Sequence, residues 1–203
     1  MQRRRHGTAL AGFQVPHTYG EYLTWPENVR YELIGGEAFL MAPAPSVDHQ
    51  RLVGGLFRQI ADALDGSPCE VFVAPFDVRL PRGDEADEAV DTVVQPDLTV
   101  VCDPEKIDRR GCRGAPDWVV EVLSQAIAAH DQTVKLSAYE HAGVPECWFV
   151  HPTDCIVTVY RLAYGRYGRP SISELTGTLA CQSVDIVTID WGRMPRPPGG
   201  TGT

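Results

Sequence analysis

The chain contains the stretch Trp118-Val119-Val120-Glu121-Val122-Leu123, in which one carboxylate interrupts an apolar run. Alternate side chains of a strand face opposite sides, so both faces of this segment are apolar, and Glu121 shares its face with Val119 and Leu123. This pattern predicts a strand that is buried on both faces. An ionised carboxylate in such a strand costs several kcal/mol unless it is compensated. Either a divalent metal or a buried arginine or lysine would do this, and the sequence leaves both open.

A second carboxylate and a lysine flank this strand along the chain. Asp97 opens the strand-like run Asp97-Leu98-Thr99-Val100-Val101, and Lys135 lies in the helix predicted after Glu121. The chain has only two lysines against sixteen arginines, so Lys135 does not come from a lysine-rich surface. A buried lysine can lose its proton near neutral pH, whereas arginine cannot. The alternative for Lys135 is a helix-surface ion pair with Asp131, worth a few tenths of a kcal/mol.

Length and composition are those of one globular domain, with 203 residues of which 43% are hydrophobic and 22% charged. No apolar run reaches the roughly 18 residues that span a membrane. The basic start Met1-Gln2-Arg3-Arg4-Arg5-His6 is not followed by an apolar segment, so we expect a cytoplasmic protein without a secretory signal. Six cysteines are scattered without a Cys-x-x-Cys pair, and this spacing disfavours a zinc site or a disulfide framework.

The net charge of −9 argues against a broad basic surface and against tight non-specific binding to DNA. Charge is nevertheless uneven along the chain. One acidic group comprises Asp84, Glu85, Asp87, Glu88 and Asp91, and one basic group comprises Lys106, Arg109, Arg110 and Arg113. The basic group could flank a metal site that faces nucleic acid, or it could be a solvated loop that balances nearby acids.

The periodicity predicts an α/β fold with a central mixed sheet. The expected elements are a hairpin over 30–34 and 37–41, a helix from the N-cap Ser46 to about 65, strands at 70–74, 77–80, 93–102 and 118–123, a helix over 126–142, and strands at 147–150 and 156–160. A weaker β region follows to Ile189. We expect residues 1–17 to be a mobile leader, 18–193 the folded domain, and 194–203 a disordered tail.

Several short motifs together resemble those of the bacterial Uma2 family of restriction-endonuclease-like proteins, over about residues 18–190. The motifs are Tyr31-Glu32-Leu33-Ile34-x-Gly36-Glu37, Pro75-Phe76-Asp77-Val78, Gln95-Pro96-Asp97-Leu98, Pro116-Asp117, Val119-Val120-Glu121-Val122-Leu123-Ser124, Asp131-x-x-x-Lys135-x-x-x-Tyr139 and Gly143-Val144-Pro145-Glu146-x-Trp148. The combination is specific, although each motif alone is weak.

The resemblance implies the PD-(D/E)XK nuclease fold, whose core is α-β-β-β-α-β, here with an N-terminal hairpin and extra C-terminal strands. It implies a metal-dependent endonuclease that hydrolyses phosphodiester bonds in DNA. Asp97, Glu121 and the carbonyl of Val122 would hold magnesium, or manganese as a substitute. The lysine that usually follows the glutamate by two residues is replaced by Leu123, and Lys135 occupies the position to which it moves in variants.

Three further residues belong to the predicted site or its surroundings. Glu32 would be another acidic ligand or a group that supports the ligands, with an exposed hairpin carboxylate as the alternative. His49 lies within reach of the site from the first turn of the core helix, unless it is only a polar residue beside the N-cap. Asp77 has a structural or a catalytic role. The family's Ser-Pro-Ser-Thr stretch is replaced by Ser124-Gln125-Ala126-Ile127, which alters the loop beside the metal.

Two other functions compete with a nuclease. A catalytically inactive scaffold or regulatory protein that retains the fold is favoured by the acidic charge and the altered loop. A hydrolase acting on a small phosphorylated substrate is the third option. Nucleic acid is the expected partner and no membrane is expected, and relatives with this fold are commonly dimeric, so a homodimer is an expectation without a located interface.

Overall fold

The computed structural model describes residues 16–26, 29–41, 46–123 and 129–195. Most of the predicted leader and tail, and the Ser124-Gln125-Ala126-Ile127 loop, lie outside these residues. Of the leader only Pro16 and His17 are described, and the backbone nitrogen of His17 donates to the carbonyl of Gly36 at 2.9 Å. Over the described residues, no helix has the length and apolar character that crossing a bilayer requires.

Three α-helices are described: α1 (Tyr19–Tyr22), α2 (Val47–Leu64) and α3 (Ala129–Ala142), besides short 3-10 turns at Asp87–Ala89, Pro104–Lys106 and Trp191–Arg193. The predicted N-cap of α2 is confirmed, because the Ser46 hydroxyl accepts a hydrogen bond from the backbone nitrogen of His49 at 3.2 Å. The buried positions of α2, among them Val53, Leu56 and Ile60, keep the three-four spacing of an amphipathic helix.

The described strands, in chain order, are β1 (Tyr31–Ile34), β2 (Glu37–Leu40), β3 (Glu70–Val73), β4 (Val78–Arg79), β5 (Val93–Val94), β6 (Leu98–Val101), β7 (Ile107–Asp108), β8 (Gly111–Arg113), β9 (Trp118–Val122), β10 (Glu146–His151), β11 (Ile156–Ala163), β12 (Arg166–Tyr167), β13 (Ser171–Glu174), β14 (Thr178–Ala180) and β15 (Thr188–Asp190). The larger sheet has the order β12-β11-β10-β9-β6-β3, with β13 also on β11. A second sheet has the order β2-β1-β5-β4-β8-β7, and β14 pairs with β15.

The larger sheet is mixed, as predicted. Strands β9 and β10 are parallel, because α3 carries the chain across the sheet between them, whereas β3–β6 and β6–β9 are antiparallel. The two faces of β9 are buried as the sequence predicts. Trp118 and Val120 pack in the core that α2 covers, and Val119 packs with Tyr139 of α3 on the opposite side.

The secondary structure differs from the predicted one in several places. The strand expected over 93–102 is divided into β5 and β6, which belong to different sheets, and the break falls at Pro96, which has no N–H to donate to a ladder. Helix α1 and the pair β7–β8 were not predicted. The buried guanidinium of Arg79 binds Asp108 of β7 at 2.6 Å. This contact joins segments that are distant in the sequence, so the local pattern did not indicate the pair β7–β8.

Cys69 and Cys102 form a disulfide, which corrects the expectation from cysteine spacing that no such bond would occur. In the antiparallel pair β3–β6, Glu70 lies opposite Val101, so the next positions outward, Cys69 and Cys102, also face each other. Spacing along the chain contains no information about this register. The remaining cysteines are free.

Two members of the basic group of residues 106–113, Arg110 and Arg113, balance the acidic loop, as the alternative to a nucleic-acid-facing patch predicts. Arg110 contacts Asp87 and Glu88, and Arg113 contacts Asp87 and donates to the backbone carbonyl of Glu85. The charges of Arg110 and Arg113 are therefore balanced locally by the acidic loop, whereas Lys106 donates to the backbone carbonyl of Ala115.

Replacing Gly111 by alanine is expected to destabilise the fold by about 3–5 kcal/mol. Its φ is +118°, and an added Cβ would lie 2.1 Å from the backbone carbonyl oxygen of Asp77. A backbone atom cannot move away as a flexible side chain can. Gly114 is the matched control, because its φ is +99° but nothing lies within 4 Å of an added Cβ, so only backbone strain of about 1–2 kcal/mol remains. Urea unfolding measures both; equal losses would contradict the steric argument.

Candidate active site

The two predicted carboxylates lie opposite each other in the larger sheet, where β6 begins and β9 ends. In the antiparallel pair β6–β9, Leu98 faces Val120, so the next positions along the ladder, Asp97 and Glu121, face each other. Cβ atoms of directly opposed residues are about 4.5–5.5 Å apart. The backbone nitrogen of Val122 donates to Oδ2 of Asp97 at 2.8 Å, which fixes this carboxylate against the end of β9. The strand pairing thus brings together the three predicted metal-binding residues.

Glu121 is buried and shares its first oxygen between two groups from α3. Nζ of Lys135 lies 2.7 Å from Oε1 of Glu121, and the hydroxyl of Tyr139 donates to the same oxygen. Lys135 and Tyr139 are four residues apart, so they lie on one face of α3, the face that covers the sheet. Tyr139 is fully buried. It was not predicted as a site residue, although this helical spacing from Lys135 contained the signal.

Glu32 is the third carboxylate and it reaches the same ammonium. Nζ of Lys135 lies 2.9 Å from Oε1 of Glu32, which also accepts a hydrogen bond of 2.7 Å from the backbone nitrogen of Gln95. Only 9% of the Glu32 side chain is exposed, so the alternative of an exposed hairpin carboxylate is wrong. Lys135 bridges two sheets here, because Glu32 lies on β1 and Glu121 on β9. The side chain of Asp131, the alternative partner of Lys135, lies outside the described residues.

One ammonium between two buried carboxylates leaves negative charge uncompensated. The pKa of Glu121 is raised to about 7, and burial is the largest cause. The negative charges of Glu32 and Asp97 also raise this pKa, whereas the positive charge of Lys135 lowers it. Burial lowers the pKa of Lys135, but the attraction of Glu121 and Glu32 outweighs it and the pKa is raised. Lys135 is therefore a firmly protonated cation, and the excess charge falls on Glu121. A further cation near Asp97 and Glu121 would relieve it.

His49 completes the site from the first turn of α2. Its Nε2 lies 3.2 Å from Oδ2 of Asp97, so the histidine predicted within reach of the site does reach it. Burial lowers the pKa of His49, but the hydrogen bond and charge of Asp97 outweigh it and the pKa is raised. The other ring nitrogen, Nδ1, is buried without a hydrogen-bond partner among the described residues. His49 is thus more than a polar residue beside the N-cap.

A polar network behind the carboxylates holds Gln95 in place. Its side-chain oxygen accepts from Arg30 at 2.7 Å, and its side-chain nitrogen donates to Asp77 at 2.7 Å and to the hydroxyl of Tyr22 at 3.1 Å. The backbone nitrogen of the same residue binds Glu32, so the network positions that carboxylate. Asp77 contacts this network and not the carboxylates themselves, which favours its structural role. Gln95 belonged to a motif but was not predicted as a site residue.

The donor set where β6 begins and β9 ends suits a hard divalent cation. Within the described residues, hydrogen bonds reach Oδ2 of Asp97 and Oε1 of Glu121, so the second oxygen of each carboxylate remains for a ligand. The same residues contain no group of three or more histidine, cysteine, aspartate or glutamate side chains arranged to hold a metal ion. The predicted ligands are only two carboxylates and one main-chain carbonyl. Mg²⁺ commonly binds to such a small number of protein oxygens and keeps several water molecules. The uncompensated charge on Glu121 agrees with such an ion.

Comparison with known proteins relates this chain to one family. The chain is similar to the crystal structure of a protein from Anabaena variabilis that is described as a "putative nuclease belonging to DUF820". The TM-score is 0.69 and the identity 20%, and the match covers 88% of this chain and 97% of that one. This likeness shows a shared mixed α/β fold. An uncharacterised protein of Synechocystis sp. is 30% identical over 125 residues, which span 60% of each protein and so less than two thirds of that relative. Residues 19–188 match the Uma2 family, described as "Putative restriction endonuclease". The match extends over most of the chain, which therefore belongs to the Uma2 family.

Proposed function

We propose that this protein is a metal-dependent endonuclease that hydrolyses phosphodiester bonds in nucleic acid, with DNA as the expected substrate. The observation that supports this best is the opposition of Asp97 and Glu121 where β6 begins and β9 ends, with Lys135 bonded to Glu121. In this proposal, α2, β3, β6, β9, α3 and β10 form the α-β-β-β-α-β core of restriction endonucleases. The family description points to the same class of enzyme.

The residues divide the chemistry among them. Asp97, Glu121 and the carbonyl of Val122 would hold magnesium or manganese. When bound, the ion supplies a Lewis acid for the scissile phosphate and lowers the pKa of water. Lys135 stays protonated, so it acts as a fixed positive charge that stabilises the charge developing on the phosphate rather than as a base. His49 orients Asp97 through its 3.2 Å contact.

Tyr139 and Gln95 maintain the geometry without contacting substrate. Tyr139 holds Oε1 of Glu121 in place, which leaves the second oxygen of that carboxylate for the metal. Gln95 holds Glu32, and Glu32 in turn holds the ammonium of Lys135. The catalytic groups are thus fixed by hydrogen bonds from both sheets before substrate binds, as electrostatic stabilisation of a transition state requires.

Affinity for Mn²⁺ is expected to rise with pH up to about 7 and to level off above it. The pKa of Glu121 is raised to about 7, so below that pH a proton must leave the carboxyl before metal binds. Affinity should then fall by about tenfold for each pH unit below 7. Calorimetric titration with Mn²⁺ between pH 5.5 and 8.5 measures this. Equal affinities at pH 6 and pH 8 would show that Glu121 does not titrate on binding.

Cleavage of supercoiled plasmid and of single-stranded circular DNA tests the proposed function. With Mg²⁺ or Mn²⁺ we expect nicked or linear products that bear 5′-phosphate and 3′-hydroxyl ends, and EDTA should prevent their formation. The Asp97→Asn protein, purified in parallel, controls for a contaminating nuclease. Absence of cutting in either metal, on either DNA, would contradict the proposal.

An inactive scaffold that retains the fold is the second candidate. The contacts of Lys135 favour it, because its ammonium already binds two carboxylates, and these could hold it as a structural ion pair. A scaffold needs no metal, so Mg²⁺ or Mn²⁺ should leave its melting temperature unchanged. A nuclease with the site described here should be stabilised by either ion as the concentration exceeds the dissociation constant. A hydrolase of small phosphorylated substrates would bind metal but cut no nucleic acid.

A further inference from the structure

A cavity of about 230 Å³ lies on the α3 side of the larger sheet. Helix α3 contributes Gln132 and Leu136, β10 contributes Phe149 and His151, and β11 contributes Thr158 and Tyr160. Ile172 of β13 lines its outer end. None of these residues is part of the site described above.

Strand register places this cavity in line with the carboxylates. Glu121 pairs with Phe149, Phe149 with Thr158, and Thr158 with Ile172, so one row of residues crosses four strands. Neighbouring strands are about 4.7–4.9 Å apart, so the cavity extends from about 5 to about 15 Å from the strand that carries Glu121. Helix α3 spans both places, since it supplies Lys135 to the site and Leu136 to the cavity wall.

The lining is neutral, and part of it is aromatic. Among the described residues that line the cavity there is no aspartate, glutamate, lysine or arginine. Burial lowers the pKa of His151, so its imidazole is uncharged at neutral pH and can donate at one nitrogen and accept at the other. The rings of Phe149 and Tyr160 meet edge to face, with centroids 6.0 Å apart. Neutral donors and acceptors beside aromatic rings suit an uncharged planar heterocycle, and the described lining offers a phosphate no positively charged partner.

Free hydrogen-bonding groups point to the same kind of ligand. The hydroxyl of Thr158 lies 3.4 Å from Nε2 of His151, a long contact that leaves capacity on both groups. The volume is below the roughly 300–1,000 Å³ of pockets that bury drug-sized molecules, so it suits one ring system and not a whole nucleotide. The sugar and phosphate of a bound nucleotide would therefore remain outside.

We propose that this cavity receives one nucleobase of the substrate, one or two nucleotides from the phosphate that is cut. The inference rests on the proposed nuclease function and adds the substrate class. A base can enter such a cavity only after it leaves the helical stack. The preferred substrate is therefore single-stranded nucleic acid, or a duplex with an unpaired nucleotide beside the cleavage position, and intact duplex is a poor one.

Binding measured without cleavage tests this. A fluorescein-labelled single-stranded octanucleotide is titrated with protein in EDTA and followed by anisotropy, beside the matching duplex. Ile172→Trp fills the outer end of the cavity, and Ile186→Trp makes the same change at a comparably exposed position away from it. Thr158→Val removes the hydroxyl and keeps the shape. We expect Ile172→Trp to weaken single-strand binding about tenfold or more, as loss of one stacked base does. Thr158→Val should weaken it less, and Ile186→Trp should not.

A second readout reports on the cavity itself. Deoxynucleoside 5′-monophosphates should shift the imidazole NMR signals of His151 in the wild type and not in Ile172→Trp. Unshifted His151 signals, together with equal oligonucleotide affinity for wild type and Ile172→Trp, would overturn the base site. If that protein still cut DNA in a metal-dependent way, the nuclease function would stand without it. Base binding in a protein that neither binds Mn²⁺ nor cuts would support the cavity and refute the nuclease.

Discussion

Replacing Lys135 by methionine is expected to lower the free energy of unfolding by about 3–5 kcal/mol, because it leaves a buried negative charge without its partner. Its ammonium lies 2.9 Å from Glu32 and 2.7 Å from Glu121, and both carboxylates are more than nine-tenths buried. Methionine fills a similar volume, so the effect comes from charge and not from a cavity. Partial relief would come from protonation of Glu121, whose pKa is already raised and would rise further.

Two variants separate this effect from general damage. Lys106→Met makes the same change at the only other lysine, whose Nζ donates to the carbonyl of Ala115 at 2.9 Å, and should cost about 1 kcal/mol. Combining Lys135→Met with Glu32→Gln and Glu121→Gln removes all three charges and should restore most of the stability. Urea unfolding followed by tryptophan fluorescence measures the series. Equal stability of Lys135→Met and wild type would contradict the buried ion-pair arrangement.

Asp97→Asn and Glu121→Gln are each expected to reduce metal-dependent cleavage by at least about 1,000-fold while the fold is retained. The amide oxygen that Asp97→Asn introduces can still accept from the backbone nitrogen of Val122, which lies 2.8 Å from Oδ2 of Asp97. Glu121→Gln removes the excess negative charge beside Lys135, so it should leave stability unchanged or raise it. Loss of activity would then reflect loss of a metal ligand and not unfolding.

Asp48→Asn is the matched control, because Asp48 lies in the first turn of α2, next to His49, but is exposed and contacts only Arg51 among the described residues. Its cleavage rate should equal that of the wild type. Rates are best compared under single-turnover conditions in Mn²⁺, with thermal unfolding of each protein recorded in parallel. A folded Asp97→Asn or Glu121→Gln protein that cuts at more than a tenth of the wild-type rate would contradict the assignment.

Much of the candidate site could be predicted because its residues are unusual for their sequence surroundings. Glu121 stands in a strand that is apolar on both faces, and such an interruption requires a partner. Asp97 opens the strand that pairs with the strand of Glu121. Lys135 is one of only two lysines in an arginine-rich chain. The order of the two long helices and the main strands followed from apolar periodicity together with glycine, proline and N-cap signals, whereas α1, β7 and β8 were not predicted. These signals are local, so they can be detected from sequence without the structure.

The remaining features depend on contacts between distant segments. Whether Glu121 binds a lysine or a metal could not be decided from sequence, and the structure shows Lys135 bound to Glu121 and also to Glu32 on the other sheet. The disulfide depends on the register of β3 with β6, and β8 depends on Arg79 and on the backbone of Asp77. The basic group was ambiguous for the same reason, because its acidic partners lie more than twenty residues away.

Anomalous scattering from crystals grown with Mn²⁺ would test the central claim most directly. If a divalent cation binds between Asp97 and Glu121, the anomalous map should show one strong peak within coordination distance of both carboxylates. Crystals of Asp97→Asn should lack this peak. A wild-type crystal at saturating Mn²⁺ with no peak beside these residues would contradict the account. The cluster of Glu32, Glu121 and Lys135 would then be a structural ion pair, and the protein a scaffold with the fold of a nuclease.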